Sequence, residues 1–430
     1  MFAEKLASIP DLVALAAHAP ADFPYLLQSS GDKGWDMLLA LPEFLRLYSA
    51  DEGAAFVADL AALPITPIDN PHRLPFVGGW FAYLGYDLLS VFEPSVPAAL
   101  PDEFPLAALA RVPAALLVER ASGAAWAVAE STKQLTRLKA KLVAAVPFEP
   151  KPVAISHLSE DEPTAFTDAV IKIKRYIREG DVFQVNVSRG WEAQLEQGTS
   201  APDLFAALRR ANPAPFSALA DFGHCQIVSS SPERLVRVQD GWVDTRPIAG
   251  THPRSLDPAE DAALKQRLID SSKERAEHVM LIDLERNDLG RIAVPGSVEV
   301  DELMAVESYA YVHHIESNVR ARLADGVTPA EVLRALFPGG TITGCPKIRC
   351  MQIIRELETA PRRAYTGSLG YINRDGTLDF NILIRTFMQE GERLRFRAGA
   401  GIVADSDPER ELQETRHKAR GLLRALGVQG

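Results

Sequence analysis

Asp181-Val-Phe-Gln-Val-Asn-Val-Ser188 is the stretch on which the fold turns. Phe183, Val185 and Val187 fall on one face and Gln184, Asn186 and Ser188 on the other, the two-residue period of a strand. The segment before it keeps a different period. Phe166, Ala169, Val170, Ile173, Tyr176 and Ile177 recur at three and four, and Gly180 follows the last turn, so a helix from Thr164 leads into the strand. A polar face within an apolar region either lines a cavity or is solvated, and the alternation leaves both open. Strands and helices elsewhere follow one another without regular βαβ spacing, and there is no internal repeat, which points to mixed antiparallel α+β.

Working outward, residues 1–145 are rich in Ala, Leu and Pro and contain Leu74-Pro-Phe-Val-Gly-Gly-Trp-Phe-Ala-Tyr-Leu-Gly-Tyr86, which reads as buried strand with close backbone contacts at its glycines. Pro147 to Pro152 reads as a connection, so a sequence boundary is expected near 145. The 430 residues suffice for two or three average domains or one large α/β body. A net charge of −11 argues against nucleic acid as a partner, and an anionic small substrate would need local arginines, backbone N–H groups or a metal ion. No stretch approaches the roughly 20 apolar residues of a membrane span. Glu4 and Asp11 interrupt the N-terminal apolar residues, so no secretory signal is expected. Three scattered cysteines, Cys225, Cys345 and Cys350, suit a reducing cytoplasm rather than a disulfide framework.

Two acidic pairs, Glu274 with Glu277 and Glu411 with Glu414, each lie on one helical face by their three-residue spacing. Carboxylates brought together need a cation between them, and Mg²⁺ suits oxygen ligands; two solvated helix faces would show the same spacing. Ala249-Gly250-Thr251, Gly339-Gly340 and Gly399-Ala-Gly401, the last placed after a strand, are points where backbone approaches a ligand or simply turns. Gly339 to Lys347 fails as a phosphate loop because Cys345 and Pro346 separate Gly344 from Lys347, and Asp283 to Gly290 fails as a calcium loop. In Asp379-Phe-Asn-Ile-Leu-Ile-Arg-Thr386, alternation puts Arg385 on an inner strand opposite Phe380, Ile382 and Ile384, as a carboxylate clamp or half of an internal ion pair. His313 and His314 follow an apolar stretch and alone carry little.

Together these segments resemble the chorismate-binding enzyme family, which includes the synthase components for aminodeoxychorismate and anthranilate and the isochorismate and salicylate synthases. The resemblance rests on Gly180-Asp-Val-Phe-Gln-Val, Ser231-Pro-Glu, Arg246-Pro-Ile-Ala-Gly-Thr251, Glu277-His through Arg286-Asn-Asp, Gly339-Gly-Thr-Ile-Thr-Gly-Cys-Pro-Lys347, Ile384-Arg-Thr386 and Gly399-Ala-Gly-Ile-Val403. It implies two antiparallel sheets face to face with helices outside, an α/β/β/α fold, with a catalytic region over 155–428 and an N-terminal region over 1–145 that adds strands to a shared core. It also implies that Glu277 and Glu414 hold Mg²⁺ against the ring carboxylate, supported by the catalytic Glu274 and Glu411. Gly250, Thr251 and the backbone of Gly399, Ala400 and Gly401 would meet substrate carboxylates, Tyr365 and Arg385 would grip the pyruvyl arm, and His314 would assist departure of the C4 hydroxyl.

Members of the family that add water carry lysine where this chain has Gln184, and a neutral amide is no general base, so amination is expected. Ammonia would come from a separate glutamine amidotransferase. The Cys345-Pro-Lys347 and Phe380 to Arg385 segments and the form of the N-terminus look like the members that aminate C4, giving 4-amino-4-deoxychorismate for 4-aminobenzoate and folate synthesis. Ala249 points the other way. It replaces the lysine that attacks C2 in many C4-aminating members and matches the members that make anthranilate for tryptophan synthesis. Leu26-Leu-Gln-Ser29 departs from the Leu-Leu-Glu-Ser of tryptophan-inhibited relatives. A noncatalytic paralogue that binds chorismate or a partner is the alternative of another class; Glu277, Glu414, Arg385 and Thr251 count against it.

Overall fold

The helix expected from Thr164 runs over Pro163–Glu179, with proline at its first turn and Gly180 closing it at φ +85°. Its Phe166, Ala169, Val170 and Ile173 are buried in one cluster with Val185 and Val187 of the strand Gln184–Leu195. Phe183 was expected on that face as well. It is instead 67 % exposed, because the strand starts one residue later and the Phe183 N–H is taken by the Cys345 carbonyl at 2.8 Å. The structure is a computed structural model that describes residues 1–98, 100–142, 146–255, 257–308 and 312–428; the side chains of residues 251–253, 273 and 312 also lie outside the description. The expected boundary residue, 145, falls outside the described residues.

Among the described residues the strands form two antiparallel sheets, of twelve and ten strands. Gln184–Leu195 lies in the first, paired with Arg393–Ile402 so that Asn186 faces Gly401 and Ser188 faces Gly399. Both sheets mix early and late chain. Tyr25–Gln28 pairs with Phe216–Asp221 in the first, and Gly79–Leu84 pairs with Ser368–Asn373 in the second. Three apolar clusters give the layering. Tyr25, Leu39, Phe81, Tyr83, Ala218 and Leu369 fill the space between the sheets. Leu38, Leu116 and Phe396 pack outward on helices that contribute Leu204, Leu208 and Leu422, and Trp80, Val236 and Phe380 on helices that contribute Phe56, Leu333 and Ile354. The fold is therefore the α+β arrangement of two facing sheets with helices outside. Among the described residues no helix is long and apolar enough to cross a membrane.

Two local expectations are corrected. Arg385 is not on a strand: Leu378–Asn381 belongs to the second sheet and Thr386–Glu390 to the first, and the chain crosses between them at Arg385 with φ +54°. The apolar alternation simply continues through the crossing, which is why the sequence read it as one strand. Gly399-Ala-Gly401 lies inside Arg393–Ile402 rather than after it, because its partner residues 186–188 continue the ladder there.

Candidate active site

The polar face of Gln184–Leu195 looks toward the second sheet, away from the valine face packed under Pro163–Glu179. Gln184 is 4 % exposed, and its Nε2 donates to Glu277 Oε1 at 2.7 Å. That carboxylate contact fixes the amide's orientation, since the reverse would set two oxygens together. Across the ladder, a Cβ on Gly401 would collide with the Gln184 amide, and one on Gly399 would stand 2.8 Å from both Asn186 Oδ1 and the Tyr365 hydroxyl oxygen. The two glycines let the Gln184, Asn186 and Tyr365 side chains close onto the strand pair where a Cβ would otherwise stand. Gly250 does the same on the second sheet at φ +63°, where a Cβ would lie 3.0 Å from Glu274 Oε2. Thr251 pairs with His314 across its ladder; its side chain is outside the description.

The acidic pairs are on helices, as their spacing required: Glu274 and Glu277 on Ser272–Gly290, Glu411 and Glu414 on Pro408–Ala425. Glu274, Glu277, Glu411 and Glu414 are all half-buried. Glu414 Oε1 lies 3.7 Å from Lys418 Nζ, one turn on, and its charge is felt at Arg385. Among the described residues no three His, Cys, Asp or Glu side chains are gathered tightly enough to hold a metal by themselves. An all-carboxylate donor set with two protein ligands still fits Mg²⁺, which keeps waters and takes substrate oxygens rather than filling an all-protein cage.

Arg385 and Tyr365 come from the crossing and from the segment just before Ser368–Asn373. Burial lowers the Arg385 pKa from its ordinary value, opposed by Tyr365, Glu414 and Glu233. Burial takes the Tyr365 hydroxyl up. His314 sits on Val312–Arg322 with Nδ1 3.2 Å from the Gly250 carbonyl, and burial pushes its pKa down to about 4. A carbonyl only accepts, so Nδ1 carries the proton and Nε2 of the neutral ring is an acceptor. His313, beside it, is held between Ser308 Oγ at 2.8 Å and Asp261 Oδ1 at 3.0 Å. Ala249 is buried opposite Ile315 and offers no nucleophile.

Three features were not singled out from the sequence. Burial pushes the Glu233 carboxyl up to about 8, with Glu285 and Glu316 adding repulsion, and among the described residues its Oε1 has no hydrogen-bond partner. The Ser231-Pro-Glu motif contained it, but only tertiary burial makes it an acid that holds its proton. Lys418 is the cation nearest Glu414 along its helix, and its charge also bears on His314. Its signal was the i,i+4 spacing from Glu414. The third is a buried ionic network beneath the glycine strand. Glu358 accepts from Ser188 N at 2.8 Å, Ser188 Oγ at 2.9 Å, and Arg362 Nε and Nη2 at 2.9 and 2.7 Å. Arg362 Nη2 also donates to the Asn186 carbonyl at 2.7 Å, and its guanidinium lies 4.5 and 5.6 Å from the rings of Tyr86 and Tyr365. A cavity of about 440 Å³ opens elsewhere on the same strand pair, beside Gly190, Trp191 and Arg395, away from Gln184 and Gly401.

Residues 24–424 match the family model described as chorismate binding enzyme. An anthranilate synthase component I-like protein of Synechocystis is 41 % identical over 362 residues, 83 % of this chain and 74 % of that protein. Aminodeoxychorismate synthase component 1 of Bacillus subtilis is 48 % identical over 261 residues, covering 61 % of this chain and 55 % of its own length. Among solved structures, anthranilate synthase component I from Streptococcus pneumoniae superposes with a TM-score of 0.80 at 32 % identity, over 91 % of this chain and 92 % of that one.

Proposed function

The chain belongs to the chorismate-binding enzyme family, and from that premise we propose that it replaces a ring hydroxyl of chorismate by an amino group, using ammonia. The observation that carries amination is the Gln184 amide, buried in the site and bonded to Glu277. Water needs a base to become a competent nucleophile, and an amide is none; ammonia attacks with its own lone pair.

The residues divide the remaining work. Arg385 and the Tyr365 hydroxyl take the pyruvyl carboxylate, while the backbone at Gly250 and at Gly399, Ala400 and Gly401 admits the other carboxylate closely. Mg²⁺, for which Glu277 and Glu414 supply the ligands with Glu274 and Glu411 beside them, would neutralise negative charge on the ring carboxylate. Glu233, close enough to Arg385 for its charge to bear on it and with its carboxyl pushed up to about 8 by burial, would be a proton donor to the departing hydroxyl. His314, neutral and with its proton on Nδ1, accepts at Nε2 and orients rather than protonates. The exchange balances as ammonia in and water out: a C–N bond forms, the C–O bond breaks, and the hydroxyl leaves with a proton.

We assign the attack to C4, giving 4-amino-4-deoxychorismate, with ammonia delivered by a separate amidotransferase in a cytoplasmic setting that suits three free thiols. The likeness around Cys345 to Lys347 and Phe380 to Arg385 supports this, while identity does not divide the two readings, since a Bacillus aminodeoxychorismate synthase and two Haloarcula anthranilate synthases are each 48 % identical over about the same share of the chain. Ala249 favours the second reading, attack at C2 leading to anthranilate, as do the names of the relatives matched over most of the chain. The test supplies chorismate, Mg²⁺ and ammonium, then adds aminodeoxychorismate lyase and separates the aromatic products. We expect 4-aminobenzoate, and only with the lyase. Anthranilate formed without it would replace C4 by C2, and an enzyme that consumes no chorismate would leave the noncatalytic paralogue.

A further inference from the structure

We propose that the cavity of about 440 Å³ beside Gly190 is a second small-molecule site, which takes a free α-amino acid and acts on the substrate grip. Its size falls within the range of small-molecule pockets. Across the ladder Gly190 faces Arg397 and Glu192 faces Arg395. Glu160 and Asp161 come from the end of the neighbouring strand Ile155–Glu160, and Arg363 from the segment before Ser368–Asn373. Three carboxylates and three guanidiniums thus line one space, with Ala360, Pro361 and Met388 as its apolar wall.

Most of these charges are committed. Arg363 forks onto Asp102 and reaches Glu390, Arg395 joins Glu390 to Glu192, and Glu160 holds Arg189 and Arg416. Two groups are not. The Asp161 carboxylate accepts from the Gly190 N–H at 2.6 Å and, among the described residues, forms no ion pair. Arg397 commits Nε to Ser188 Oγ at 3.0 Å and Nη2 to Glu358 and the Ser188 carbonyl, both at 3.3 Å. Its Nη1 makes no hydrogen bond among the described residues. Both groups converge on one point, since a Cβ on Gly190 would stand 3.1 Å from Asp161 Oδ2 and 3.5 Å from Arg397 Nη1.

This pairing selects the ligand. The lining carries equal numbers of acids and arginines, so an anion would meet Glu160, Asp161 and Glu192, and a cation would meet the three guanidiniums. An α-amino acid is neutral overall and carries both charges a few ångströms apart: a carboxylate for Arg397 and an ammonium for Asp161. Its side chain then lies along Pro361 and Met388. The route to the substrate grip is short. Arg397 and Arg362 share Glu358, and Arg362 reaches the Asn186 carbonyl and lies 5.6 Å from the Tyr365 ring. A carboxylate on Arg397 draws it from Glu358, whose charge then falls on Arg362, so amino acid and chorismate affect each other's binding.

Thermal melts of the full chain with each common amino acid in turn, at about 10 mM, read binding. At least one should raise the melting temperature by about 2 °C or more. Calorimetry with chorismate and Mg²⁺, without ammonium so that no amination occurs, should show the same amino acid changing the Kd for chorismate by about fivefold or more. Asp161→Asn keeps an oxygen for the Gly190 N–H and removes only the charge; it should abolish both effects and bind chorismate as the parent does. If that variant does not fold, Gly190→Ala places a methyl between the two groups and should do the same. No shift with any amino acid, a shift that persists in these variants, or a bound amino acid that leaves the Kd for chorismate unchanged would each overturn the inference. None of these outcomes touches the amination reading.

Discussion

A proton on Glu233 ties turnover to stability. Glu233→Gln removes the acid but keeps the shape, and kcat should fall by about 10² to 10⁴. The stability effect has the opposite sense. The native state holds a proton that the unfolded chain releases from its ordinary 4.5 upward, so this contribution is full below about 4.5 and is lost as pH rises through about 8. His314 runs the other way: its pKa falls from 6.5 to about 4, so its contribution is present above 6.5 and lost as pH falls through about 4. The melting temperature of Glu233→Gln relative to the parent should therefore climb between pH 6.5 and 8 and level off above, which thermal melts across that range would check. A flat difference would mean that Glu233 is ionised at neutral pH. The acidic pairs were legible because helical spacing is local. The Gln184 to Glu277 contact joins residues 93 apart, and the protonation of Glu233 depends on burial by several segments, so neither could be read from neighbouring letters.

Among the elements, the segment from Glu358 to Tyr365 connects the glycine strand to the substrate grip. Arg362 is 1 % exposed, and removing it leaves the buried Glu358 with only Arg397, 3.3 Å away, among its cationic partners in the network. Arg362→Ala should cost about 3 to 5 kcal/mol, as for other broken buried pairs, and should raise the KM for chorismate through Tyr365 and the Asn186 carbonyl. Arg362→Lys, which keeps charge but loses the fork, should fall between. Thermal melts and steady-state kinetics on the three proteins check this; equal KM values would confine Arg362 to stability. The helix Pro163–Glu179 and the strand after it were readable from a change of period from three-and-four to two. The crossing at Arg385 was hidden, because Phe380, Ile382 and Ile384 keep alternating while the chain leaves one sheet for the other.

At the scale of the molecule, the change in composition near 145 does not divide the sheets. Gly79–Leu84 is a buried strand of the second sheet bonded to Ser368–Asn373, and Tyr25–Gln28 extends the first through Phe216–Asp221. A fragment of residues 155–430 would expose the inner-face partners of Tyr25, Phe81 and Tyr83 and leave sheet edges unpaired. We expect that fragment and a fragment of residues 1–142 each to lack a cooperative thermal transition by circular dichroism, and co-expression to restore one. A cooperative melt of 155–430 alone would show that the late chain holds its own core. The crossing at Arg385 also sets terms for inheritance. Residues 378–390 bind both sheets in a single pass, so one inserted residue there would turn every following side chain of Thr386–Glu390 to the opposite face and displace the guanidinium. The largely exposed stretches 64–73 and 146–152 carry no such register. Descendants of this gene should vary in length at those two stretches and hold the spacing from Leu378 to Glu390 constant.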